Sequence, residues 1–123
     1  MTEYKFRGYD ATGQKGWVYG DLVHNKKVTK TGLEPRVMIG GYEVVPESVG
    51  LGTGIEDDNY KEIYVGDIIK ITDEEDSSRT ITSPVVWEYG CCMIYFFEDN
   101  KEALVDFINE KIEIIGNVFN KTY

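Results

Sequence analysis

Cysteine is almost missing from this chain, whose 123 residues include two, the adjacent Cys91 and Cys92. Neighbouring cysteines that bond to each other close a strained ring, so a disulfide framework is excluded and two reduced thiols in a cytoplasm are expected. Histidine is rarer still, with His24 alone. Any imidazole-based proton transfer would have to run through that one residue. Long apolar runs are absent as well: the densest, Cys91 to Phe97, is closed by Glu98 and Asp99. It falls far short of the roughly 18 residues a membrane helix needs. The opening stretch, Met1 to Asp10, is polar and charged throughout and shows no secretion signal. Positive charge is the last scarcity, with 13 Lys and Arg against 22 Asp and Glu, a net charge of −9. That balance repels a phosphate backbone and disfavours general coating of DNA or RNA.

What is present is the material of one soluble domain: 41% hydrophobic, 13% aromatic and 28% charged residues. A chain of this size buries about two-thirds of the surface its unfolded form exposes, so it needs no metal, disulfide or cofactor to fold. Lys5 to Asp10 alternates with period two, placing Phe6, Gly8 and Asp10 on one face, and predicts a first strand. Gly16 to Leu22, aromatic and β-branched, predicts its hairpin partner across a turn through Ala11 to Lys15. Val23 to Pro35 is polar and basic, with Lys26, Lys27 and Lys30, and reads as a long loop. Arg36 to Gly40 and Tyr42 to Val45 read as short β runs separated at Gly41 by a tight turn or a bulge, and Pro46 to Val49 as a single helical turn.

Gly50 to Asn59, with three glycines and three acids, is expected to be neither strand nor helix and to hold the main internal boundary. Glu62 to Ile71 predicts β structure interrupted at Gly66-Asp67, and Asp73 to Ser78 an acidic turn. Arg79 to Glu88 and Cys91 to Phe97 predict a hairpin about Tyr89-Gly90. Leu104, Phe107 and Ile108 lie at helical spacing behind Asn100, predicting one short helix, and Ile112 to Phe119 predicts the last strand.

Few residues invite chemistry. A Cys/His pair would need His24 of the polar loop beside Cys91 or Cys92, which lie in a strand interior where alternation turns one inward and the other outward. Structural thiols and a surface histidine are the better reading. Glu56-Asp57-Asp58-Asn59 lacks the spacing, central glycine and distal glutamate of a calcium loop and reads as a solvated turn. Asp73-Glu74-Glu75-Asp76 reads likewise as an exposed, self-repelling loop. Gly50-Leu51-Gly52-Thr53-Gly54 has no lysine at phosphate-loop spacing and is assigned to backbone turning.

Two signals remain. Aromatic residues (Tyr9, Trp17, Tyr19, Tyr42, Tyr64, Trp87, Tyr89, Tyr95, Phe96 and Phe97) fall on predicted strands or turns, where half would build the core and half an exposed surface suited to a partner protein. Charge is also uneven. Through Arg36 there are seven bases and four acids, or +3, and from Val37 onward six bases and eighteen acids, or −12. Opposite patches steer association, so packing of the amino part onto a neighbouring copy is expected, with folding of the basic loop over its own acidic part as the alternative.

Three ordered motifs carry a family resemblance. The opening Tyr4-Lys5-Phe6-Arg7-Gly8-Tyr9-Asp10 with Val18-Tyr19-Gly20-Asp21-Leu22 resembles the start of YopX-type phage proteins. Thr53-Gly54-Ile55, Asp57 and Lys61-Glu62-Ile63-Tyr64-Val65-Gly66-Asp67-Ile68 resemble that family's central motif. Ile112-Glu113-Ile114-Ile115-Gly116-Asn117-Val118-Phe119 resembles its ending. The resemblance implies a phage or prophage protein with a small SH3-type barrel in its carboxyl part and no established biochemical activity. The family pattern usually has glycine where this chain has Tyr60, which puts the backbone of that turn in question.

The resulting expectation is a mainly-β protein. Residues 1–49 form an amino-terminal β-meander region, and residues 50–123 an SH3-type small barrel with one short helix. Its expected role is that of a non-catalytic, oligomeric interaction module in the cytoplasm, binding copies of itself or a host or phage protein and using no cofactor. The candidate interaction surface comprises Trp17, Tyr19, Lys26, Lys27, Lys30, Tyr64, Trp87 and Tyr95. The alternative is a nucleic-acid-binding accessory protein that uses the basic 24–36 loop and exposed aromatics.

Overall fold

A computed structural model describes residues 5–96 and 100–120. They are mainly β, in several antiparallel sheets, and the chain divides into two compact units between Gly52 and Thr53. No helix among the described residues is long and apolar enough to cross a membrane.

In the first unit, β1 (Phe6–Tyr9) pairs with β2 (Trp17–Gly20) in the register Phe6↔Gly20 to Tyr9↔Trp17. The predicted hairpin is therefore present. Its turn is organised by Asp10, whose carboxylate accepts the Lys15 amide at 3.0 Å and the Thr12 hydroxyl at 2.8 Å. These donors, the Lys15 amide foremost, hold the Asp10 carboxyl below the usual carboxylate range. Next come β3 (Leu22–Thr29), β4 (Gly32–Ile39) and β5 (Tyr42–Val44), a meander in which β4 lies centrally. The predicted tight turn between β4 and β5 is made by Gly40 and Gly41, at φ 58° and 86°. A 3-10 turn follows over Pro46–Ser48, as the proline implied.

The core of this unit is small. Val18, Ile39 and Val44 are buried, with Phe6, Leu22, Val37 and Val49 packed against them. Gly8 faces this cluster, where a Cβ would stand 2.9 Å from Val44 Cβ and 3.0 Å from Ile39 Cδ1. The glycine lets two sheets close over each other.

β6 (Gly50–Glu56) starts in the first unit, where Gly50 and Leu51 pair with Arg7 and Phe6 of β1. Its later residues enter the second unit beside β7 (Glu62–Tyr64). The glycines of this stretch were expected to prevent a strand, but pairing on a ready β1 edge supplies ladder hydrogen bonds that outweigh their low propensity. β8 (Asp67–Thr72) then takes the centre of a sheet ordered β13-β8-β9, with β9 at Thr80–Pro84 and β13 at Lys111–Asn117. A bulge between Ile114 and Gly116 shifts the β13 register.

Val85 breaks the predicted Arg79 to Glu88 strand, giving β10 (Val86–Glu88), β11 (Cys91–Phe96) and β12 (Asn100–Ala103), a second three-stranded sheet. The β10–β11 hairpin turns through Tyr89 and Gly90, at φ 54° and 77°. These are the paired left-handed residues of a two-residue type I′ turn. The expected end of β11 at Phe97 lies outside the described residues.

The predicted helix over Asn100 to Ile108 is replaced by β12 and a single 3-10 turn, Leu104–Phe107. Asn100 pairs with Phe96 in the sheet instead of capping a helix. A helix of this length is marginal on its own, and four cross-strand pairs with β11 prevail over it. The second core consists of Ile63, Ile69, Ile71, Val85, Ile94, Leu104 and Ile112. These sheets share that core, and none closes into a barrel among the described residues.

Candidate functional site

The segment expected to be a long basic loop is the most regular hairpin in the molecule. β3 and β4 pair over eight residues each, from Leu22↔Ile39 to Thr29↔Gly32, around a two-residue turn at Lys30 and Thr31. Thr29 stabilises the turn, its Oγ1 accepting the Thr31 amide at 3.3 Å. One face carries a polar ladder. Arg36 Nε donates to Asn25 Oδ1 at 2.6 Å, and Lys27 Nζ reaches both oxygens of Glu43 on β5 at 3.0 Å.

The opposite face pairs Leu22 with Ile39, His24 with Val37, Lys26 with Pro35 and Val28 with Leu33. Ile39 is fully buried, while Val28 is 83% and Leu33 65% exposed. A face that is core at its base therefore runs past the exposed His24 and Lys26 to a bare apolar pair at its tip. Beyond Val37, β4 has no β5 partner, and among the described residues no strand pairs with the outer edge of β3. Over its outer half, residues 25–29 and 32–36, this is a two-stranded arm, about 16 Å long by strand geometry. Its four Lys and Arg against Glu34 give the 22–39 segment 4 − 1 = +3.

On β1 and β2, register places Arg7, Tyr9, Trp17 and Tyr19 on the face opposite Gly8 and Val18. Trp17 is half-buried, edge-on to Tyr9 at 5.4 Å, with the Arg7 guanidinium 4.3 Å from its ring centroid. It is engaged within its own sheet, whereas Tyr19 is 53% exposed.

The second unit holds the remaining candidates. Tyr64, expected on the surface, is buried at 6% exposure, and its amide donates to the buried Asp67 carboxylate at 2.8 Å. Trp87 and Tyr95 point to opposite sides of the β10-β11-β12 sheet. Trp87 pairs with Cys92 on the face that holds Ile94, and Tyr95 with Lys101 on the other. Tyr95 Oη donates to Glu88 at 3.3 Å, and Lys101 Nζ donates to the other Glu88 oxygen at 2.5 Å. The Lys101 ammonium also lies 5.3 Å from the Tyr95 ring and 5.9 Å from Tyr89. Its hydrogen bond lowers the Glu88 carboxyl, and the carboxylate raises Lys101 in return.

The eight residues thus do not form one site. Lys26, Lys27 and Lys30 share the arm, with Lys27 tied to Glu43, and Trp17 and Tyr19 share one strand face. The Glu88–Lys101 pair and the apolar arm tip escaped the sequence reading. Val28 and Leu33 stand symmetrically about Lys30-Thr31, a signal available only if that dipeptide is taken as a turn.

Cys92 packs against the core while Cys91 lies on the other face of β11, as alternation required, and burial raises the Cys92 thiol. His24 sits on the arm. Asp57, expected in a solvated turn, is 5% exposed. Its carboxylate accepts the Asn59 and Lys61 amides at 2.9 Å each and the Ile114 amide at 3.2 Å, tying the turn to β13. Among the described residues no group of three His, Cys, Asp or Glu is placed to hold a metal ion.

The model of the YopX protein family matches residues 5–122. The chain belongs to the YopX family. No curated protein matches it. Where the YopX pattern usually has glycine, Tyr60 stands at φ 63°. The turn keeps the left-handed backbone that a glycine would adopt, at some cost in strain.

Proposed function

We propose that this phage-type protein is a non-catalytic interaction module that assembles with copies of itself through the β3–β4 arm. The observation that carries this reading is the bare Val28–Leu33 pair at the end of a basic hairpin. Each such side chain gains about 1.5–3 kcal/mol when fully covered, which favours a partner over water. The partner's attraction is electrostatic: residues 53–123 carry six bases and sixteen acids, 6 − 16 = −10, against +3 on the arm. The cytoplasm, where Cys91 and Cys92 stay reduced, is the compartment this reading uses, and a host or phage protein is the other class of partner.

Light scattering at low and high salt tests it. The expected result is a multimer at low salt that weakens as salt rises and is lost in Val28→Ser/Leu33→Ser. A monomer at both salts would sink the reading. The basic arm also supports a second reading, contact with nucleic acid through Lys26 and Lys30. The Lys27–Glu43 pair weakens it by neutralising one of the three lysines. A labelled oligonucleotide that does not shift at low salt removes it.

A further inference from the structure

The second unit contains a cleft of about 600 Å³ with an apolar floor of Ile71, Ile81 and Phe107 and a charged rim of Asp73, Glu110 and Arg79. Its size is that of a ligand pocket, about 300–1,000 Å³. Two carboxylates at the rim are only partly committed. Glu110 Oε2 accepts the Glu74 amide at 2.8 Å and Asp73 Oδ1 accepts the Glu75 amide at 2.8 Å, which leaves the second oxygen of each for another donor. Arg79 is turned toward Asp76, 3.7 Å away. With Glu74, Glu75 and Asp76 beside it, the rim sums to five acids against one base, or −4.

The requirements of this cleft are an apolar group for the floor and a cation for the rim. The bare face of the arm presents that combination, since Val28, Leu33 and Pro35 share it with Lys26. We propose that the cleft is the seat of the arm tip from a second copy of this chain, with Val28 and Leu33 against Ile71, Ile81 and Phe107, and Lys26 donating to Asp73 and Glu110. This inference rests on the arm being the interaction element and adds its receptor. A heterologous contact of this kind, arm to cleft, closes a ring or propagates a chain according to the rotation between copies.

A charge swap on the full-length chain tests it, read by sedimentation at low salt with circular dichroism as the check on folding. Lys26→Glu and the double variant Asp73→Asn/Glu110→Gln should each weaken self-association about tenfold or more. The amide variants keep the oxygens that accept the Glu74 and Glu75 amides, so the rim loses charge without losing its turn. Lys26→Glu combined with Glu110→Lys should recover most of the loss. If arm variants abolish assembly while Asp73→Asn/Glu110→Gln and Phe107→Ser leave it intact, the cleft is overturned and the arm reading stands. If no arm variant affects assembly, both fall. A wild-type chain that stays monomeric while the swap alters only its stability places the arm on its own cleft and overturns the proposal.

Discussion

The two units spend their apolar residues differently. Among the described residues, the second buries seven hydrophobic side chains in one cluster, drawn from β7, β8, β11, β13, the Val85 break and the Leu104 turn. The first buries three and carries Val28 and Leu33 into solvent on a two-stranded arm. Charge divides the same way. Residues 1–52 hold seven bases and six acids, or +1, whereas the rest hold −10. The exposed Val28 and Leu33 add nothing to the small core of their own unit. That contrast separates residues that hold the fold from residues the fold displays.

The sharpest way to break the comparison is to open each core. Ile94 and Ile39 are both fully buried. Ile94→Ala should cost about 3–5 kcal/mol and Ile39→Ala about 2–4, because each leaves a cavity and the smaller cluster can collapse more readily. Hydrogen exchange distinguishes the units. Ile39→Ala should release the β3–β5 amides while Ile69 and Ile71 stay protected, and equal loss at both would mean that one cooperative core spans the chain. Gly8→Ala probes the first cluster from the opposite side. Its new Cβ meets Val44 at 2.9 Å, so overpacking should cost about 1–3 kcal/mol in urea unfolding. A neutral result would mean that Val44 and Ile39 have room to move aside.

Which parts were legible in the sequence follows from the same division. Where one face of a strand is buried along its length, alternation appears in the residues: Ile69 and Ile71 inward and Lys70 outward announced β8, and Phe6 and Gly8 announced β1. The two-residue spacing between β-rich arms announced the hairpin at Tyr89-Gly90. The arm was missed because its outer half has no buried face. Leu33, Pro35, Val37 and Ile39 do alternate, but Leu33 and Pro35 fall in the polar, basic stretch and only Val37 and Ile39 in the β-like run that follows it. The helix was misread because Leu104, Phe107 and Ile108 fit a 3.6-residue period, while the β11 edge that claims Asn100 to Ala103 is remote in sequence. Of the candidate surface, Trp17, Tyr19, Tyr64, Trp87 and Tyr95 lie on strands as expected, whereas Lys26 and Lys27, expected in a loop, lie on β3. Register split Trp87 from Tyr95, and Tyr64 is buried next to the core residue Ile63. Asp57 looked solvated because its Ile114 partner lies 57 positions away.

Tyr60 sharpens the comparison within the second unit, whose strength allows it to hold a strained residue. The ring is 86% exposed and the backbone sits at φ 63°. Tyr60→Gly relieves the left-handed strain and should stabilise the chain by about 1 kcal/mol, net of the entropy that glycine adds to the unfolded state. A loss of stability would show that the exposed ring makes a contact that outweighs the strain.

The smallest expected effect decides the comparison. Val28→Ser/Leu33→Ser changes two apolar residues that the monomer leaves in solvent, so the unfolding free energy should move by no more than about 0.5 kcal/mol, measured where the protein is dilute enough to be monomeric. Were the pair part of the first unit's core, the same double change would cost several times that, as an Ile39 truncation does. The two measurements pull apart as protein concentration rises. Assembly stabilises a folded chain by mass action, so the wild type should gain stability with concentration and the serine variant should not. A wild type whose stability is independent of concentration, alongside an equally stable variant, would leave the arm a hairpin that tolerates exposure, its lysines and Pro35 guarding open edges against aggregation. A wild type that gains where the variant does not makes Val28 and Leu33 the residues that the fold is built to display.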